Sequence, residues 1–282
     1  VFACFLSSIG LVALYRAFVP WCAPLYQPLF AVVMLWPSVL LWGSGMLKEC
    51  VVLCGMGLFL QAVSGAVRRA LTAPQAIAGL LGLLLLSSAK VYVLVALLPP
   101  AAAWFVVART RPRYMTATFL LLVIIATLAG YWAVRATGVD MLEVMRVKRS
   151  DFMGVVALTN AQSAIPLPQL TNAASSFLQS APHALYVTFL SPFLAVRNGL
   201  MGLFGAMENL LLPLLLVVAW RYRKPKAQVP LAPLLFCLSF VFILALIMGW
   251  TTPVIGALVR CRVPLLPLFG IATLLLIDPA AL

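Results

Sequence analysis

Long apolar runs separated by short basic or proline-bearing breaks recur from one end of the chain to the other, at 1–15, 29–42, 50–63, 76–86, 91–107, 115–134, 201–220, 231–249 and 264–277. A hydrocarbon core about 30 Å thick takes roughly 20 apolar residues per helical crossing. The pattern therefore predicts an all-α, polytopic transmembrane helix bundle with about nine crossings. The two runs flanking the polar turn Ser87–Lys90 are short, and Pro99-Pro100 is expected to interrupt the second of them.

One long stretch departs from this pattern. Residues 135–198 are too polar and too rich in proline to span, yet 141–156 mixes apolar and basic residues at helical spacing. It reads as an interfacial helix lying in the headgroup plane, with Arg146, Lys148 and Arg149 reaching towards lipid phosphates; a solvated loop helix is the alternative. The chain thus divides into a first transmembrane bundle at 1–134, an outer-face interfacial segment at 135–199, and a final set of three spans at 200–282 with a loop carrying Arg260 and Arg262. The sequence starts at Val1, directly inside an apolar run, and further spans are expected to precede it in a longer protein.

Composition strengthens the membrane reading. Only 9% of residues are charged against 65% hydrophobic, where a soluble domain carries about 25% charged residues. The formal charge of +13 would suggest nucleic acid in a soluble protein, but these cations sit mainly in short loops between apolar runs, so no nucleic-acid partner is expected. Arg16, Arg68-Arg69, the 109–113 cluster and the 221–226 cluster fall at alternate ends of successive runs. Placing them in the cytoplasm satisfies the positive-inside bias and puts the C-terminus there too. Lys48-Glu49, Lys90, 135–198 and 250–263 then face outward, with every acidic residue except Asp278 on that side or at membrane depth. Cys4, Cys22, Cys50, Cys54, Cys237 and Cys261 lack metal-ligand spacing and read as small apolar residues.

Few positions carry chemistry. Glu208 lies inside an apolar run, where an ionisable group costs several kcal/mol unless it is paired or wetted. Pro213 frees backbone polarity beside it, and Arg197 would stand at the mouth of a cavity there; a Glu bound to an arginine of another helix is the structural alternative. Arg260 and Arg262 precede Pro264, which biases Val263 towards an extended backbone. In an extended strand their side chains would share a face and form two guanidinium forks for a phosphate or diphosphate; the alternative is a pair of snorkelling flank charges. Lys48 and Glu49 follow a tight hairpin of small residues and read as paired charges at the entrance of an outer cavity. His183 is the sole histidine and a candidate base near neutral pH, or an interfacial structural residue. Gly199, Gly202 and Gly205 read as a close-packing face. No Walker loop, dinucleotide fingerprint, metal-ligand cluster or nucleophile elbow appears, so no cofactor is assigned and a divalent cation is not indicated.

Two motifs carry a resemblance. The run from Trp36-Pro37-Ser38 through Gly45-Met46-Leu47-Lys48-Glu49 resembles a pattern in bacterial multi-spanning proteins of surface-polysaccharide assembly. The run Thr252-Pro253-Val254-Ile255-Gly256-Ala257-Leu258-Val259-Arg260-Cys261-Arg262-Val263-Pro264 is similar to the outer loop with a basic-x-basic-Pro motif in membrane glycosyltransferases and O-antigen polymerase-like proteins. Glu208-Asn209 fits the same pattern, while Cys261 stands where it expects an aromatic residue. The resemblance implies a C-type glycosyltransferase-like protein of the bacterial inner membrane that uses a polyprenyl-phosphate or polyprenyl-diphosphate sugar at the outer face. In that family the catalytic carboxylate lies in the first outer loop, which would precede Val1.

The expected function is therefore a membrane glycosyltransferase or polysaccharide polymerase. Arg260, Arg262, Arg197 and Lys48 would hold the lipid phosphate, and Glu208 would orient an acceptor hydroxyl or take its proton. Two rivals stand beside it: a transporter or flippase with Glu208 as an intramembrane relay, and an accessory subunit of a membrane complex whose outer charges contact partner subunits.

Overall fold

A computed structural model describes residues 1–282 apart from Met46, 160–164, Pro166, Gln169, Asn172, 192–198 and Leu282, and the backbone alone at Thr159 and 199–204. The described chain is helical: α1 (Phe2–Cys22), α2 (Tyr26–Met34), α3 (Pro37–Ser44), α4 (Lys48–Val67), α5 (Ala73–Ala89), α6 (Val91–Thr110) and α7 (Met115–Ala136). Then come α8 (Met141–Thr159), α9 (Ala174–Leu190), α10 (Gly199–Arg221), α11 (Leu231–Thr251), α12 (Ile255–Cys261) and α13 (Leu265–Leu276). Among the described residues five helices, α1, α4, α6, α7 and α11, are long and apolar enough to cross a membrane. Two bent pairs, α2 with α3 at 50° and α12 with α13 at 55°, raise that to as many as seven.

Local sequence sets several of these boundaries. Pro37 occupies the first turn of α3 and leaves Trp36 extended at φ −61°, ψ 128°, which breaks the 29–42 run into two helices. At α5, Thr72 and Gln75 form a capping box that starts the helix earlier than its apolar run. The interruption expected at Pro99-Pro100 does not occur. Helix α6 runs through both prolines, which are buried; their fixed φ is compatible with a helix, and packing against α4 and α5 holds the backbone where hydrogen bonds are lost. The 135–198 stretch holds α9 as well as α8, a second helix that its polar composition hid.

The chain forms two compact units. The first comprises Val1–Ala126, Pro213–Val241 and Val263–Leu282. Its central helix, α4, packs between α1 and α5. Gly55 and Gly57 are two residues apart, so they lie on nearly opposite sides of α4. A Cβ on Gly57 would strike the carbonyl of Gly10 in α1, and one on Gly55 would sit 2.8 Å from the Gly82 carbonyl oxygen in α5. Glycine at these positions lets backbones touch, which is how helices gain van der Waals contact in lipid. Ser64 Oγ donates to the Ala17 carbonyl at 2.6 Å, and Phe18, Trp104 and Phe236 stack at 5.0–6.4 Å between centroids. At the basic end, Arg109 Nη2 donates to the Ala66 carbonyl at 2.9 Å. The 221–226 cluster is pinned to the end of α13 by the Lys224 N–H on Leu276 and the Asp278 N–H on Tyr222, both at 2.7 Å.

The second unit comprises Thr127–Leu212 and Phe242–Arg262. Here α9 lies against the end of α11, with Gly249 pressed on the Ala184 backbone. Thr188 Oγ1 donates across to the Ala245 carbonyl at 2.8 Å, and the Phe177 and Trp250 rings meet edge to face at 5.4 Å.

Candidate functional site

Within the second unit, three helix segments converge on one guanidinium. Arg262 is completely buried, as is the Glu208 side chain on α10, and Arg262 Nη2 lies 3.6 Å from Glu208 Oε2. Arg262 Nη1 donates to the Thr188 carbonyl at 3.1 Å. That carbonyl belongs to the last turn of α9, where acceptors have no intrahelical donor and the helix dipole is negative. One cation therefore serves as counter-ion to a buried carboxylate and as a cap for a helix end. Nε and Nη2 of Arg262 make no hydrogen bond among the described residues, with Nη2 standing 3.6 Å from Glu208, just beyond hydrogen-bond distance.

The shared-face fork expected for Arg260 and Arg262 is not what forms. Arg260 lies inside α12, and Arg262 is its C-cap at φ −73°, ψ −15°, with its N–H on the Leu258 carbonyl at 3.0 Å. Positions two apart on a helix diverge by about 200°, so the two side chains part: Arg262 turns into the core, whereas Arg260 is half-buried. Pro264 restrains only the residue before it, and the helical turn at 255–261 is complete by then.

The Lys48-Glu49 pair is also redrawn. Glu49 is buried and binds Lys90 Nζ at 2.8 Å in the first unit, while Lys48 is exposed. Consecutive helical residues point about 100° apart, so neighbours in sequence seldom pair. Glu49 sits in the first turn of α4, the helix end that favours a carboxylate. Lys90 stands at the junction of two helices, as C-cap of α5 and N-cap of α6, so its charge is held by Glu49 and not by a helix dipole. Lys90→Met is expected to destabilise the protein by about 3 kcal/mol, because a buried carboxylate loses its cation. The thermal midpoint in detergent checks this, with Lys48→Met as the near-silent control.

His183 is half-buried on α9 with its ring 6.3 Å from that of Tyr186. Arg197 lies outside the described residues. Gly199, Gly202 and Gly205 fall in the first turns of α10. No group of three or more His, Cys, Asp or Glu able to hold a metal ion occurs among the described residues. Sequence reasoning missed Thr188, whose contribution is a main-chain carbonyl and leaves no trace in residue type, and it missed Lys90 as the partner of Glu49. No protein-family model, no curated protein and no solved structure matches the chain.

Proposed function

We propose that the chain is part of a membrane glycosyltransferase or polysaccharide polymerase that acts on a polyprenyl-phosphate-linked sugar at the outer face of a bacterial inner membrane. Adding α5 and α10 to the five long helices and two bent pairs gives the nine crossings of this reading, with the C-terminus cytoplasmic. One observation carries it: a carboxylate and a guanidinium are held together out of water beside a helix that presents a second, half-buried arginine.

In this reading Arg260 takes the lipid phosphate, and the buried Glu208–Arg262 pair is a positioning element that fixes α12, and so Arg260, against α9 and α10. The acceptor hydroxyl oxygen bonds to the anomeric carbon while the bond from that carbon to the phosphate oxygen breaks. The electron pair leaves on the phosphate and the hydroxyl proton passes to solvent water. Fixed cations at low dielectric stabilise the charge that develops on the leaving group. Arg260→Gln is expected to lower sugar transfer from a polyprenyl-diphosphate donor by at least about tenfold, the worth of one charge-assisted contact, measured on protein shown to be folded. Full transfer by that variant contradicts the reading.

The bent pairs favour a second reading, since broken helices are a feature of transporters. Counterflow of a polyprenyl-linked sugar in proteoliposomes, with no glycosidic bond formed, would select it.

A further inference from the structure

Helix α7 leaves a mark of membrane depth at its C-terminal end. Leu120, Leu121, Ile124, Ile125 and Leu128 are exposed, as expected of a lipid-facing span. The helix then ends in Tyr131, Trp132 and Arg135. Arg135 Nη1 donates to the Tyr131 hydroxyl at 2.9 Å, and its guanidinium lies 5.5 Å from the Trp132 ring centroid. Amphipathic aromatics beside a cation are what anchor a helix at headgroup level. Gly138 turns the chain with φ +86°, a backbone that suits glycine, and Asp140 Oδ1 accepts the Leu142 N–H at 2.9 Å to start α8. The six Cα-to-Cα steps from Arg135 to Met141 reach at most about 20 Å even fully extended, so α8 begins close to the headgroup layer.

Helix α8 has three distinct sides. Met141, Leu142, Met145, Arg149, Phe152 and Val156 are each partly covered and share one helical face. Burial draws the Arg149 guanidinium down from its usual range, so this arginine faces protein. Arg146, Ser150 and Glu143 form a polar side over the first half of the helix, where Arg146 Nη2 holds Glu143 at 3.2 Å, and the exposed Met153 and Ala157 continue that side as apolar residues. On the third side, Val144, Val147, Val155 and Leu158 form an exposed apolar row, 45–87% accessible. An open groove lies along this row. Asp151 interrupts the row, with Lys148 one turn earlier on the same side.

We infer that α8 is an interfacial membrane anchor whose Val144–Val147–Val155–Leu158 row enters the headgroup and acyl boundary of the bilayer that the chain itself spans. The charges decide how it binds. The three cations of α8 face two carboxylates, Arg146 is tied to Glu143, and Arg149 turns inward. Attachment therefore comes from apolar burial, and electrostatic attraction to anionic lipid contributes little. This departs from the sequence expectation that all three cations reach for phosphates, and it holds whichever reaction the protein performs.

The test uses the full chain in nanodiscs, with the exposed Cys4 replaced by Ser and single cysteines placed at Val147, Leu158 or Ser150 for an environment-sensitive dye. A lipid-borne nitroxide should quench the dye at positions 147 and 158 several-fold more than at 150. The quenching should be equal in phosphatidylcholine alone and in phosphatidylcholine with phosphatidylglycerol, and should persist in high salt. Equal, weak quenching at all three positions overturns the anchor and assigns the row to a protein partner. Quenching that needs phosphatidylglycerol and disappears in salt overturns the apolar mode of attachment.

Discussion

Replacing Glu208 with Ala is expected to destabilise the protein by about 3–5 kcal/mol, because it leaves a fully buried guanidinium without its counter-ion. Arg262 has no accessible surface, so bulk solvent screens its charge little. Arg262→Met should cost a similar amount, since it removes the cation beside the buried carboxylate and the donor on Thr188. The double variant Glu208→Leu with Arg262→Met should recover most of that loss, because a buried ion pair and an apolar pair of similar volume are often equal in stability. Thermal unfolding of the three variants in one detergent checks the pattern. Single variants as stable as the parent protein would mean that the two charges do not meet. Transfer activity separates the roles: if the pair positions the reaction, the double variant is folded and inactive.

The second large effect lies in the first unit. Gly57→Leu is expected to destabilise the packing of α1 on α4 by at least about 3 kcal/mol, the upper part of the range for overpacked cores. The obstruction is the backbone of Gly10, not the end of a side chain, so no change of rotamer relieves it and the helices must separate. Even Gly57→Ala brings its Cβ onto that carbonyl. Gly130→Ala is the control, since nothing lies within 4 Å of a Cβ there and alanine is the better helix former. Unfolding in a denaturing detergent series should place Gly57→Leu far below the parent protein and Gly130→Ala at or above it.

These two expectations differ in how visible they were from sequence. Apolar runs announced the spans because lipid imposes length and composition on each helix separately. Glu208 likewise announced a need for a partner, since a carboxylate in an apolar run has to be compensated. The identity of that partner was not legible, because Glu208 and Arg262 sit on segments far apart in sequence that only the tertiary fold brings together. Arg260 and Arg262 part for a local reason: Pro264 restrains only Val263, and the residues before it complete a helical turn. The Glu49 pairing differs similarly, since adjacency in sequence is not adjacency in space and the true partner, Lys90, caps another helix. Gly10, Gly55, Gly57 and Gly82 carried no sequence signal of their own among so many small residues. Their importance appears only when two backbones are seen to touch. Helix α8 was legible as an amphipathic segment, but which of its cations faced protein depended on what covers it.

Binding of a polyprenyl diphosphate to the purified full chain isolates recognition of the phosphate from every later step. The parent protein should bind the lipid saturably, and folded Arg260→Gln should bind it at least about tenfold more weakly. Equal binding by the two proteins would contradict the account.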